Sequence, residues 1–493
     1  MVAAETSCAA EELYIGLDVG TGGVRALAVG ASGRIAARAT ADLQTSHAPQ
    51  IEGWHEQDPL DWWNASCLVL ADLMQQLQDA GVAFEALRAL AIDGTSGSLV
   101  CLDEQRRPLC PALMYNDGRA QEEAAQVNLL AADFCTRMGY RFASSFALPK
   151  IVWLQRHKPA IFARTVIFAH QADYIQGRLT GGDGIADYSN ALKTGYDLEI
   201  EGWPHWLEHL PGIRERLPRV VPPGVRVGQV SAAAARQTGL PAGLAIVSGA
   251  TDATAACLAS GAHRSGDCNT TLGTTLAFKC ISRHRARHPE GLVYSHKLPG
   301  GYWLPGAASN TGGEWIGKLY PDKDLRALDE RSRTLLPNPH IAYPLVSPGE
   351  RFPFIAPQAR GFCLPEPQSP GIRYAAYLQG VALVERLGYQ ALEEAMGCSV
   401  ERVFSSGGGS RSDVWMQCRA DATGRPMQRP ASPESAFGSA ILAAAATDYG
   451  DLWSAVRGMV QIERTFEPEA KKTSHYSAVF AMFRDEIRQR GYA

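Results

Sequence analysis

Four apolar runs in this chain end alike, in glycine beside small hydroxyl residues and, in three of them, an aspartate. Residues 13–19 run into Asp18-Val19-Gly20-Thr21, and residues 86–92 into Asp93-Gly94-Thr95-Ser96-Gly97. Residues 244–247 lead to Ser248-Gly249-Ala250-Thr251-Asp252, and residues 403–406 to Gly407-Gly408-Gly409-Ser410. Some of these endings turn back as hairpins and others pass into helices. That alternation argues α/β architecture with ligands at the carboxyl ends of strands. The pattern restarts near residue 245, which suggests a duplicated lobe.

At 493 residues the chain exceeds what one hydrophobic core supports, so two or three domains are expected. A net charge of -4 leaves no basic footprint for nucleic acid; the short basic cluster at 283–287 reads as a solvated loop. The 11 cysteines show neither CxxC nor zinc-site spacing. Cys101 and Cys110 come near each other across a hairpin and read as reduced thiols, which fits a cytoplasmic location. Residues 1–12 lack a basic stretch followed by an apolar run and read as a loose leader. No apolar run reaches the roughly 18 residues of a membrane span.

Secondary-structure signals place the motifs. Asp58 and Pro59 open a helix whose apolar positions are Leu60, Trp63, Cys67, Leu70 and Leu73. Residues 99–102 and 109–115 form a hairpin, and residues 119–180 are mostly helical. Residues 376–396 form a long amphipathic helix, and an Ala-rich helix covers residues 434–446.

The loops admit two kinds of chemistry. Around Gly20, Thr21 and Gly22, backbone N–H groups either cradle a phosphate or simply close a hairpin. Asp18 either caps that turn or faces phosphate through magnesium, which takes one or two carboxylates together with phosphate oxygens. No Walker loop occurs. Asp252 either caps a helix or accepts a proton from an attacking hydroxyl. Gly273 with Thr274 and Thr275 either lines a nucleotide or belongs to a Thr-rich strand. Gly407 to Gly409 either let an adenine lie on backbone, with Trp415 bordering the base, or form a flexible connection.

In this order and at these separations, the motifs make the chain similar to the FGGY carbohydrate kinases of the actin and hexokinase superfamily. Asp18-x-Gly20-Thr21-x-x-x-Arg25 resembles the first phosphate motif, and Gly249-Ala250-Thr251-Asp252-Ala253 the second. Gly273-Thr274-Thr275 resembles the phosphate and nucleoside turn, and Ser406-Gly407-Gly408-Gly409-Ser410-Arg411-Ser412 the adenosine motif. Lys150-Ile151-Val152-Trp153-Leu154 resembles a helix signature, and Phe437-Gly438-Ser439-Ala440 a late small-residue helix.

The resemblance implies two actin-like (ribonuclease H-like) α/β lobes with a deep cleft. Residues 13–259 with 440–493 would form the first lobe, and residues 260–439 the nucleotide-binding second. It implies ATP and Mg2+ as cofactors, with Asp252 as catalytic base and Asp18 positioning the metal. Gly20, Thr21 and Gly22 would meet the transferring phosphate. Gly273 and Thr274 would line the nucleotide. Gly408, Gly409 and Ser412 would hold adenine, with Trp415 beside it. Thr95, Ser96 and Asp117 would join Asp18 and Asp252 around the sugar.

Ser412 departs from the Asn common in the adenosine motif, and Ala147 from the usual Pro, Ser or Thr. Xylulose kinases carry Met-His, and glycerol kinases Arg-Glu, where Thr95-Ser96 stands here. The turn resembles the D-ribulose kinase-like branch. The expected reaction is therefore ATP-dependent phosphorylation of a ketopentose such as D-ribulose, with D-xylulose or a pentitol as alternative. A non-catalytic sugar or nucleotide sensor is the alternative of another class. The expected partners are sugar and ATP, with no nucleic acid or membrane, in a monomer or homodimer.

Overall fold

In the computed structural model, residues 11–43, 51–182, 184–288 and 290–493 are described. Most of the expected leader lies outside them. The chain divides into two compact units. The first holds Met1–Ala259, Lys297–Gly300 and Glu434–Val460; the second holds Ser260–His296, Gly301–Pro433 and Gln461–Ala493.

The sheet of the first unit runs Arg226–Gln229, Ala245–Thr251, Leu87–Gly94, Leu13–Val19, Gly23–Gly30 and Ile35–Asp42, in spatial order. Leu13–Val19 turns back through two antiparallel hairpins and pairs in parallel with Leu87–Gly94, which pairs in parallel with Ala245–Thr251. The second unit repeats this plan. Asp267–Leu272 is antiparallel to Leu276–Cys280, which is antiparallel to Tyr302–Ser309. On its other side Asp267–Leu272 runs parallel to Arg402–Ser406, and that strand parallel to Met427–Pro430. The second copy of this topology thus begins at Asp267, whereas the restart expected near residue 245 falls on Ala245–Thr251, a strand of the first sheet.

Leu13–Val19 is buried along its whole length, as a central strand covered on both faces must be. Helix Pro59–Asp79 covers one face. Asp58 Oδ1 accepts from Leu60 N at 2.9 Å, and proline takes the first turn, where its missing N–H costs nothing. Its buried stripe is Trp62, Trp63, Ser66, Val69, Leu70, Leu73 and Leu77. Leu60, expected on that stripe, is 44% exposed, because it shares the outer face of the helix with Asn64, Leu68 and Gln75.

The small-residue helix Ser435–Ala444 lies against strands Leu13–Val19 and Leu87–Gly94 and helix Asp252–Ala259. A Cβ at Gly438 would overlap the Ala255 carbonyl, and one at Gly16 the Ala436 carbonyl. Small residues here are a packing requirement.

The second core gathers on helices Pro370–Met396 and Asp413–Thr423. Within it, Arg419 grips Glu385 through Nε–Oε2 at 2.6 Å and NH2–Oε1 at 2.7 Å, and its NH1 donates to Ser405 Oγ at 2.6 Å. The pair is buried yet fully engaged, as a charge pair in a core must be. Helix Ala470–Gln489 corrects the expectation that residues 440–493 complete the first lobe. Its Val479, Phe480 and Phe483 pack on Tyr343 and Phe362, so only the chain up to Val460 joins the first unit. The Glu434–Val460 segment also draws in residues 434–439, which were expected in the second lobe. Among the described residues no helix is long and apolar enough to cross a membrane.

Gly438→Ala should force backbone apart and cost about 1–3 kcal/mol, the usual range for overpacking. Gly317→Ala, with nothing within 4 Å of the added carbon, should be neutral or slightly stabilising. Thermal midpoints of the two variants, compared with the parent, check this.

Candidate active site

Parallel pairing sets the geometry of the first unit's strand ends. Asp18 lies opposite Asp93 in one ladder, and Asp93 opposite Ala250 in the next, two residues before Asp252. The sheet thereby brings Asp18 and Asp252, expected from sequence, to the ends of strands flanking Asp93, to which no role was assigned. Asp18 is 5% exposed, and its Oδ2 accepts from Arg25 NH1 at 3.0 Å. Asp252 opens helix Asp252–Ala259, and its Oδ1 accepts from Ala253 N at 2.6 Å. Asp93 is wholly buried, with Oδ2 accepting from Ser439 Oγ at 2.6 Å. Burial first, and then the Asp18 charge, push its carboxyl well above the usual carboxylate range. The shift favours the protonated form of this carboxyl, which eases the crowding of negative charge.

The hairpin after Asp18 is closed by Gly20 N donating to Gly23 O at 3.0 Å. Gln57 Nε2 donates to the Thr21 carbonyl at 2.9 Å, and Trp62 Nε1 donates to Gln57 Oε1 at 2.8 Å. The loop is therefore anchored to helix Pro59–Asp79 while Gly22 faces open space.

The Thr95–Ser96 turn is held from three sides. Thr95 N and Oγ1 donate to Gln171 Oε1 at 2.9 and 2.6 Å. Lys193 Nζ donates to the Ser96 carbonyl at 3.0 Å. Lys150, buried in helix Ala147–His157, donates to the carbonyls of Gly97, Met114 and Ser145 at 2.9, 2.6 and 3.2 Å. Burial lowers Lys150 to about 7, opposed by the charge of Asp117. The Lys150 signature thus braces the Thr95–Ser96 turn.

Burial also lowers Lys193 to about 8, opposed by the charge of Asp252. Lys193 escaped the sequence reading because it sits 97 residues from Ser96, in a short turn with no motif of its own.

Asp117 is committed elsewhere. Its two oxygens take Arg119 Nε at 2.8 Å and NH2 at 2.7 Å, and Oδ2 also accepts from His55 N at 2.7 Å. Arg119 in turn lies 3.7 Å over the Trp54 ring. A wholly buried carboxylate with this set of partners serves the fold of its loop; no oxygen is left over for a sugar.

In the second unit, Thr271 Oγ1 and Ser406 Oγ meet at 2.9 Å across parallel strands, just before the two glycine loops. The Gly273 turn is closed by Gly273 N donating to Thr275 O at 3.0 Å, with Thr274 exposed at its tip. Gly407 adopts φ +85, and a Cβ there would stand 2.5 Å from the Leu272 carbonyl. Gly409 is pressed against Leu272, whereas Gly408 faces open space. The triple glycine is therefore a tight crossing with one exposed backbone unit, the surface a flat base requires.

Two expectations are corrected here. Trp415 is 2% exposed and donates Nε1–H to the Leu378 carbonyl at 2.9 Å, so it supports Gly409 from within the core and offers no face to a base. Ser412 caps helix Asp413–Thr423, its Oγ accepting from Trp415 N at 3.1 Å. Its hydroxyl is already engaged.

Phosphate-type turns on a duplicated sheet, with carboxylates at the strand ends, define a phosphotransferase of the actin-like class. The chain matches the FGGY family of carbohydrate kinases, N-terminal domain, over residues 13–259 and the C-terminal domain over residues 268–447, and it belongs to that family. It is 28% identical to a xylulose kinase of Escherichia coli over 97% of this chain and 99% of that one. It is 30% identical to a xylulose kinase of Streptomyces rubiginosus over 89% of each chain. The crystal structure of xylulose kinase from Rhodospirillum rubrum superposes with a TM-score of 0.86 at 28% identity, covering 97% of this chain and 99% of that one. The protein is a carbohydrate kinase.

The sign of the Lys193 effect on stability follows from its position. Unfolded, the lysine holds its proton to about pH 10.5; folded, only to about 8. Between those values the unfolded chain binds more protons, so this residue's contribution to stability rises with pH. Lys193→Met should therefore gain stability relative to the parent most at pH 7, and the gain should shrink toward pH 10. Thermal midpoints across that range measure it, and a pH-independent difference would contradict the assignment.

Proposed function

We propose that this kinase transfers the γ-phosphoryl group of ATP to the terminal primary hydroxyl of a ketopentose. Asp252 carries the reading: it is a half-buried carboxylate at a strand end, beside a turn of hydroxyl residues. It accepts the sugar's hydroxyl proton while that oxygen bonds to the γ-phosphorus. The bond from phosphorus to the bridging oxygen breaks, and ADP leaves with the electron pair. Lys193 and Asp252 attract one another, and Asp93, whose protonated form is favoured, adds less negative charge beside them.

Thr95 and Ser96 hold the sugar. Each unit has its own backbone N–H groups for phosphate or nucleotide, at Thr21 and Gly22 in the first and at Thr274, Gly408 and Gly409 in the second, while those of Gly20 and Gly273 close their turns. Asp18 is the protein carboxylate for a magnesium ion carried mainly by ATP phosphates. The ion would offset phosphate charge.

Two ketopentoses compete. The xylulose kinase relatives favour D-xylulose, whereas Thr95-Ser96 in place of Met-His favours D-ribulose. A coupled ADP-release screen with Mg-ATP over D-ribulose, D-xylulose, ribitol, xylitol, glycerol and gluconate separates them. Asp252→Asn should lower kcat by about 10²–10⁴ with an unchanged melting temperature. Turnover within threefold of the parent would remove Asp252 from the base role, and ATP hydrolysis indifferent to every sugar would overturn the reading.

A further inference from the structure

Asp252 follows strand Ala245–Thr251 directly, so the last backbone unit of that strand sets where its carboxylate stands. Strand pairing does not hold this unit on the side away from Leu87–Gly94. The antiparallel neighbour Arg226–Gln229 matches only Ala245 to Val247. One residue on, Ser248 N donates to Val225 O at 2.8 Å, and Ser248 O accepts from Gly224 N at 2.9 Å. The parallel register with Leu87–Gly94 then shifts between Val247 and Ala250. At Thr251 a side chain takes over: Thr251 N donates to Ser189 Oγ at 2.8 Å.

Ser189 is turned for this contact. Its hydroxyl donates to Asp187 Oδ1 at 2.5 Å, so the proton is spent and the oxygen accepts from Thr251 N. Asp187 is held in turn. Its Oδ1 also accepts from Ser189 N at 2.7 Å and Asn190 N at 3.2 Å, and its Oδ2 from Asn190 Nδ2 at 2.6 Å. Asp187, Ser189 and Thr251 are all buried. A hydroxyl set between a carboxylate and an N–H is polarised by both, which strengthens the two bonds. Thr251 Oγ1 meets Thr254 Oγ1 at 2.9 Å and ties the strand end to the first turn of helix Asp252–Ala259. The same short segment also brings charge: Lys193, four residues after Ser189, and Asp252 attract one another.

We infer that Ser189, oriented by Asp187, is a positioning residue for Asp252. It fixes the backbone from which the carboxylate projects and so keeps that carboxylate aligned with the sugar hydroxyl during proton transfer. Ser189 acts through Thr251 and needs no contact with sugar or nucleotide. This role rests on the base reading of Asp252 and deepens it. A base must stand within hydrogen-bond reach of the proton it takes, and a displacement of about 1 Å costs up to roughly 100-fold in rate. Ground-state binding of the substrates does not depend on that alignment, so the loss falls on kcat.

Ser189→Ala removes the acceptor for Thr251 N and the donor to Asp187 together. With the sugar that the ADP-release screen ranks first, kcat should fall tenfold or more, and KM for sugar and for Mg-ATP should stay within threefold of the parent. The deciding comparison repeats the substitution in Asp252→Asn. A residue that acts through Asp252 has nothing left to position there, so Ser189→Ala should change the residual kcat by less than twofold. The same tenfold loss in both backgrounds would overturn the inference, because a serine that only supports the fold lowers every activity alike. Turnover of Ser189→Ala within twofold of the parent overturns it as well. Ser189→Cys nearly keeps the volume and accepts only weakly, and it carries the same two comparisons should Ser189→Ala fail to fold. The two readings fail separately. Asp252→Asn that turns over within threefold of the parent removes the base and its positioning residue together, whereas equal Ser189 losses in the two backgrounds remove only the positioning role.

Discussion

Three parallel strands ending at one edge of a sheet carry Asp18, Asp93 and Asp252 together, and the rest of the first unit manages the resulting charge. Like charges at such separations cannot all ionise in a low-dielectric interior. The structure answers separately for each carboxylate. Asp18 takes Arg25, Asp93 is pushed toward its protonated form and receives Ser439, and Asp252 has the field of Lys193.

This arrangement also explains the small residues around it. Ser439 reaches Asp93 only because Gly438 lets its helix touch the Ala255 backbone and Gly16 lets the central strand touch Ala436. In the second unit the same topology carries no acidic cluster at its strand ends, and the corresponding positions are hydroxyls and glycines. Duplicated backbone thus carries two kinds of strand end: carboxylates in the first sheet, hydroxyls and glycines in the second.

Features set by local backbone were legible in the sequence. The glycine turns and the Asp58 cap depend on residues within a few positions of each other, whereas the restart expected near residue 245 belongs to the first sheet because strand pairing is long-range. Features set by long-range contact were hidden. Gln171 meets Thr95 across 76 positions and Lys193 meets Ser96 across 97, and neither has a motif. Trp415 was misplaced because sequence shows an aromatic beside a glycine loop but not that its ring turns inward to Leu378. Asp117 matched a family segment, yet Arg119, two residues on, had already claimed its oxygens. The final helix carries a stripe of Tyr476, Val479, Phe480 and Phe483 that fits any apolar partner, so its docking partner could not be read from its own pattern.

The central claim is phosphoryl transfer to a terminal sugar hydroxyl. It is tested most directly by converting a ketopentose labelled with carbon-13 at its terminal C5 and following the product by carbon and phosphorus NMR. The account predicts one equivalent of sugar phosphate per ADP, with phosphorus coupled to the labelled carbon. Phosphorus coupled to a different carbon, or inorganic phosphate released without sugar phosphate, would contradict it.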